Sequence, residues 1–237
     1  MSPKTARNRL IVALDTDGLA PALAVARRLR PLAGMFKIGS QLFTAEGPRA
    51  VERIAAFGAG IFLDLKFHDI PNTVAGAVRA AAGLPGVALV NVHASGGLEM
   101  MQAAARAVAG LRRRPRVLAV TILTSLDAAA LRRIGISGSP RSRAVALARL
   151  AQKAGLDGVV CSAHELQAIR STCGPRFLTV VPGIRPAAAA RGDQSRTATP
   201  AQAIRNGADY LVIGRPITEA HDPRTAAQAI LDEIANS

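Results

Sequence analysis

The stretch LIVALDTDGLAPALAVARRLRPLAGMFKIG (10–39) decides the fold. It opens with LIVAL (10–14) and closes with MFKIG (35–39), two short apolar runs without polar alternation. Such runs suit parallel strands covered on both faces. Between them, LAPALAVARRLRPL carries helix-forming residues at helical spacing. Strand, helix, strand is the unit from which parallel α/β folds are built. Working outward, the same kind of run recurs at IFLDLK (61–66), ALVNVH (88–93), RVLAVTIL (116–123), DGVVCS (157–162), FLTVVPG (177–183) and DYLVIG (209–214). The segments between them, such as GPRAVERIAAFG, TVAGAVRAAAGL and LEMMQAAARAVAGL, read as helices, several closed by glycine. Eight strands alternating with helices leave a closed barrel or a doubly wound open sheet. No GxGxxG follows the first strand, which counts against the dinucleotide-binding sheet. A length of 237 residues suits one barrel. The expectation is α/β: a single (β/α)8 TIM barrel with parallel strands, one domain over residues 1–237.

Hydrophobic residues make up 49% of the chain and aromatics only 3%, so Ala, Val, Leu and Ile must fill the core. Thirty basic residues against 16 acidic ones give a formal charge of +14. That points to an anionic partner, nucleic acid or phosphorylated metabolites, or to a solvated Arg-rich surface, which is the favoured reading. No basic block is interleaved with aromatics, so the stacking half of a nucleic-acid platform is missing and no nucleic-acid partner is expected. Cys161 and Cys173 fit no metal knuckle and read as free thiols in a reducing cytoplasm. Asp15 and Asp17 interrupt what would be the apolar core of a signal peptide. No stretch approaches the ~20 apolar residues of a membrane helix. The chain therefore reads as soluble and cytoplasmic.

Polar residues collect at one end of the strands. Asp15 follows the first and Lys37 lies in the second; Asp64 and Lys66 end the third, and Asn91 and His93 the fourth. Thr121 and Thr124 follow the fifth, Arg185 the seventh, and Gly214 and Arg215 the eighth. In barrels this C-terminal rim is where active sites are assembled. Asp64 and Lys66 are two apart on a strand and share a face. Asp69 stands just before Pro71, a good arrangement for a helix N-cap, and on local grounds capping is its first reading. Gly214 lets an anion approach the backbone, and Arg215 offers a fork of donors matched to phosphate oxygens. VPGIR (181–185) supplies Arg185 from the neighbouring loop, and loops after the last two strands are the usual phosphate cradle of barrels. Residues 185–200 read as a long polar loop and a candidate lid. His68, His93 and His164 show no metal-ligand spacing and read as packing or hydrogen-bonding residues.

The motif LDLKFHDIPNTV (63–74) resembles the signature of the orotidine 5′-phosphate decarboxylase family. VALD (12–15), FKIG (36–39), VNVHASGG (90–97), VTILTSL (120–126), VPGIRP (181–186), GDQSRTATP (192–200) and DYLVIGRPIT (209–218) extend the resemblance over nearly the whole chain. It implies decarboxylation of orotidine 5′-monophosphate to uridine 5′-monophosphate without metal or organic cofactor. By the same resemblance, Asp15 and Lys37 bind the ribose hydroxyls and Lys37 also belongs to a charge network. Asp64 lies against the substrate carboxylate, and Lys66 is the proton donor. Thr124 meets the pyrimidine, while Gln194, Gly214 and Arg215 hold the phosphate with Arg185 at the same end. Asp69 and Thr73 are implied to complete the site of the other subunit in a homodimer. The rival readings are a metal-dependent sugar-phosphate decarboxylase or aldolase of the same superfamily, and a basic nucleotide- or nucleic-acid-binding protein without catalysis.

Overall fold

The computed structural model describes residues 1–186 and 198–237. Its apolar runs form β1 (Leu10–Ala13), β2 (Met35–Gly39), β3 (Gly60–Phe67), β4 (Val87–His93), β5 (Arg116–Val120), β6 (Gly158–Val160), β7 (Leu178–Val181) and β8 (Tyr210–Ile213). Each strand pairs in parallel with the next, and β8 returns to β1, closing the barrel. Closure removes the two unpaired edges that an open sheet would carry. The expected TIM barrel is therefore the observed fold. The strands β5, β6 and β7 are shorter than the apolar runs that contain them. At the rim the chain turns out of the ladder to build loops, although the Thr121 amide still donates to the Val160 carbonyl at 3.1 Å.

Side-chain alternation along each strand sorts the residues into two cores. Leu10, Val12, Phe36, Ile38 and Leu63 point outward into the large layer shared with the helices. Ile11, Met35, Phe62, Leu89, Leu118 and Val212 point inward and fill the barrel. Stepping along the same inward faces toward the C-terminal rim leads from Met35 to Lys37, from Phe62 to Asp64, from Leu89 to Asn91 and from Val212 to Gly214. The polar rim is thus the next layer of the packed interior, held by the same ladder.

Two departures from regularity matter. The register of β3 against β4 breaks between Leu63, opposite Val90, and Phe67, opposite Val92. Lys66 lies inside that break at φ 51° and is the one non-glycine residue at positive φ among the described residues. The second is Gly158, where β6 passes very close to β7. A Cβ there would lie 2.5 Å from the Leu178 Cβ and nearer still to its carbonyl oxygen. Backbone cannot step aside cheaply, so Gly158→Ala should destabilise the barrel by roughly 1–3 kcal/mol. Thermal unfolding reads this as a lower Tm, and an unchanged Tm would contradict the close approach.

The arginines also find a local role. Arg53, Arg79, Arg106, Lys153 and Arg205 each stand in the last turn of a helix. A cation there meets the negative end of the helix dipole. This distribution fits the scattered pattern of basic residues better than a single anion-binding block.

Candidate active site

The C-terminal strand ends open onto a cavity of about 530 Å³. Asp15, Lys37, Asp64, Lys66, Thr124, Arg185, Gly214 and Arg215, all singled out in the sequence, line it together. Cys161, buried at the end of β6, contributes to its floor.

On the β1–β3 side, four charges alternate. The Lys37 ammonium donates to Asp15 Oδ1 at 2.7 Å and lies 3.5 Å from Asp64 Oδ2. The Lys66 ammonium lies 2.8 Å from Asp64 Oδ1. The inner pair is buried, with side-chain exposures of 9% for Lys37 and 12% for Asp64, whereas Lys66 is 37% exposed and Asp15 51%. Burying a charge is costly unless it is paired. Here each buried charge has two opposite neighbours, and each outer charge reaches the cavity.

Burial of Asp64 opposes its ionisation. The charges of Lys37 and Lys66, with hydrogen bonds from Lys66 and Asn91, outweigh that cost and hold its carboxyl below the ordinary 3.8. A carboxyl whose folded pKa is depressed contributes stability at pH above its unfolded pKa, and that contribution is lost as pH falls through the folded value. Below pH 3.8, therefore, the parent should lose stability more steeply than Asp64→Asn. Unfolding in denaturant across an acid pH series measures the two slopes. Parallel slopes would mean that Asp64 has no depressed pKa.

Two neighbours of this network have roles that the sequence does not reveal. Gly39 ends β2 on the same inward face as Lys37, and a Cβ there would lie 2.8 Å from the Lys37 nitrogen and 3.0 Å from Asp15 Oδ1. The missing side chain is what leaves room for the Asp15–Lys37 pair. Asn91 is fully buried between Asp64 and Lys66. Its place in the strand is legible, but its contacts are not.

Beside Lys66, the His68 and His93 rings stack with centroids 5.3 Å apart at 18°. His93 Nδ1 accepts from the Ser95 amide at 3.4 Å and lies 2.6 Å from the Ser95 hydroxyl. Partial burial, then the charges of His68 and Lys66, push the His93 pKa below its ordinary 6.5. The structural reading of these two histidines holds. His164 sits at a turn capped by Ser162, whose hydroxyl accepts from the His164 amide at 3.4 Å.

Arg185 and Arg215 enter the same cavity from the ends of β7 and β8, the latter next to β1 in the barrel. Burial and the like charge of Arg215 depress the Arg185 pKa, with Glu219 opposing. Two guanidiniums within reach of each other make this end of the cavity strongly attractive to an anion.

Asp69 and Thr73 do not line this cavity. Both are exposed, on the segment leading into and opening the helix Pro71–Ala82. The capping reading of Asp69 is corrected here. Ile70 occupies the N-cap position and no side chain caps the helix. The Asp69 carboxylate instead accepts from the adjacent Ile70 amide at 2.6 Å. It stands one residue too early in the chain to reach the orphan amides of the first turn. Ile70 beside it is 66% exposed, a large apolar side chain left uncovered within this chain. Gln194 and most of the candidate lid lie outside the described residues. No group of three or more His, Cys, Asp or Glu suited to a metal ion occurs among the described residues.

With this geometry in hand, comparison with known proteins is direct. The profile of the Orotidine 5′-phosphate decarboxylase / HUMPS family matches residues 8–230. The chain is 58% identical over 227 residues to the orotidine 5′-phosphate decarboxylase of Halorhodospira halophila, covering 96% of each chain. It is 54% identical to that of Nitrosococcus oceani, covering 97% of this chain and 99% of the relative. The crystal structure of orotidine 5′-phosphate decarboxylase from Lactobacillus acidophilus superposes with a TM-score of 0.83 at 36% identity, covering 95% of this chain and 98% of the other.

Proposed function

The chain belongs to the orotidine 5′-phosphate decarboxylase / HUMPS family, and from that membership we propose that it is a carbon–carbon lyase of pyrimidine nucleotide synthesis. It converts orotidine 5′-monophosphate to uridine 5′-monophosphate and CO₂. One barrel domain over residues 1–237 carries the activity. The observation that carries the reading is the Lys66 ammonium, held 2.8 Å from Asp64 in the same cavity as Arg185 and Arg215.

The chemistry follows from the charges. The bond between C6 and the carboxylate breaks, CO₂ leaves, and the electron pair stays on C6 with little ring delocalisation. Lys66 stands as the cation beside that carbanion. Its Nζ–H proton passes to C6, giving the uridine ring, and the amine is reprotonated from water. Asp64 keeps Lys66 charged, because a nearby carboxylate favours the protonated amine. Lys37 in turn neutralises the far oxygen of Asp64. The four charges are set before the substrate arrives, so little reorganisation accompanies the reaction. No electron sink is needed, and the reading includes neither metal nor organic cofactor.

Asp15 and Lys37 face the ribose hydroxyls, Thr124 faces the pyrimidine, and Gly214, Arg215 and Arg185 take the phosphate, together with Gln194. A phosphate dianion between Arg185 and Arg215 relieves their mutual repulsion. Its binding energy, remote from C6, can offset the cost of holding the reacting carboxylate near Asp64. Asp69 and Thr73 complete the site of a second copy in a homodimer, with the exposed Ile70 covered at that contact. A cytoplasmic location is part of this reading, and no described helix is long and apolar enough to cross a membrane.

The test is spectrophotometric turnover of orotidine 5′-monophosphate with and without EDTA. Turnover is expected in both. Absence of turnover overturns the assignment, and turnover abolished by EDTA favours the metal-dependent sugar-phosphate branch of the superfamily instead.

A further inference from the structure

We propose that Asn91 is a positioning residue that sets the Lys66 ammonium against Asp64, so that replacing it slows the chemical step while leaving nucleotide binding in place. Its kinetic arm rests on the decarboxylase reading above; its structural arm does not.

Asn91 has 0% exposure and sits one inward step above Leu89 on β4. Its Nδ2 donates to Asp64 Oδ1 at 2.6 Å, and its Oδ1 accepts from the Lys66 backbone amide at 2.8 Å. The orientation of the amide is dictated by its partners, because the carboxylate only accepts and the backbone N–H only donates. One side chain therefore holds both members of the ion pair. It grips one through the side chain and the other through the backbone.

Lys66 needs such a tie. At φ 51° it occupies a region that costs an L residue free energy unless its surroundings hold it there. It has no register partner on β2 or β4, so the ladder does not hold it. The Asn91 carbonyl takes the amide that the ladder leaves over. Asp64 Oδ1 then receives Asn91 Nδ2 and Lys66 Nζ together, so the amide also fixes the oxygen on which the ammonium rests. Asn91 itself does not line the cavity. It acts through the ion pair, with no contact to a ligand.

Two substitutions test this. Asn91→Ala removes both hydrogen bonds. Asn91→Asp keeps the shape but aims a carboxylate oxygen at Asp64. In a crystal structure of Asn91→Ala, Lys66 should leave its left-handed backbone conformation and its Nζ should leave Asp64 Oδ1. A Lys66 unmoved from both overturns the proposal. In kinetics, Asn91→Ala should lower kcat by about 100-fold, the scale of a misplaced catalytic group. The dissociation constant of uridine 5′-monophosphate, measured calorimetrically, should change by less than about threefold, since no contact to the nucleotide is lost. Asn91→Asp should lose at least as much. A residue that merely fills space predicts a kcat for Asn91→Ala close to the parent's once the variant is folded, and that result also overturns the proposal. Should Asn91→Ala not fold, Asn91→Asp carries both measurements. A parent chain inactive on orotidine 5′-monophosphate would sink the functional reading, while the variant crystal structure would still decide the role of Asn91.

Discussion

Replacing Lys66 with alanine should lower kcat by about 10⁴-fold or more, because in the proposed mechanism one group supplies both the stabilising charge and the proton. Loss of a single preorganised donor typically costs about 10²–10³ in rate. General-acid catalysis contributes a further factor of about 10²–10⁴. The fold should tolerate the change, since the Lys66 side chain is 37% exposed and pairs with Asp64 alone among the described residues. The parent and variant are compared by spectrophotometric turnover, with thermal unfolding as the control for folding. Lys66→Arg separates the two roles. The guanidinium keeps the positive charge but does not give up its proton at neutral pH. It should therefore be nearly as inactive as Lys66→Ala. A well-folded Lys66→Arg with most of the parent activity would show that the proton comes from elsewhere.

The second large effect follows from the proposed homodimer, in which Asp69 and Thr73 complete the partner's site. Lys66→Ala and Asp69→Ala should each be nearly inactive as homodimers, yet a mixture allowed to exchange subunits should regain activity. In the proposed two-fold dimer each site would draw Lys66 from one copy and Asp69 from the other. A mixed dimer then holds one site with both lesions and one site with neither. Random exchange of equal amounts makes half the dimers mixed, so activity should approach about one quarter of the parent value. The geometry behind this is the exposure of Asp69, Ile70 and Thr73 just outside the cavity. A mixture that stays as inactive as its components after verified exchange would place Asp69 in its own chain's site or in none.

Both experiments probe residues that the linear sequence marks by position. Asp15, Lys37, Asp64, Lys66, Thr124, Arg185, Gly214 and Arg215 stand at strand ends, and the cavity gathers all of them. They were legible because a parallel barrel brings the C-terminal ends of its strands to one rim. An inward-facing residue just past the apolar run has nowhere else to point. The misreading of Asp69 has the opposite cause. A cap depends on one residue of phase and on the backbone angle entering the helix, and Asp–x–Pro in the sequence specifies neither.

By itself the sequence determined the eight-fold alternation of strand and helix and the collection of polar residues at the C-terminal strand ends, while closure of the barrel was decided by the pairing of β8 with β1. The alternation and the polar strand ends follow from periodicity and hydrophobicity, which are properties of neighbours along the chain. Only the tertiary structure decided that Lys37 bridges two acids, that Gly39 clears space for that bridge, that Asn91 holds Asp64 and Lys66 together, and that Lys66 bends into a left-handed conformation at a break in register. Each of these is a contact or strain between strands far apart in sequence. Its energy exists only once the barrel has closed and water has left the inward face.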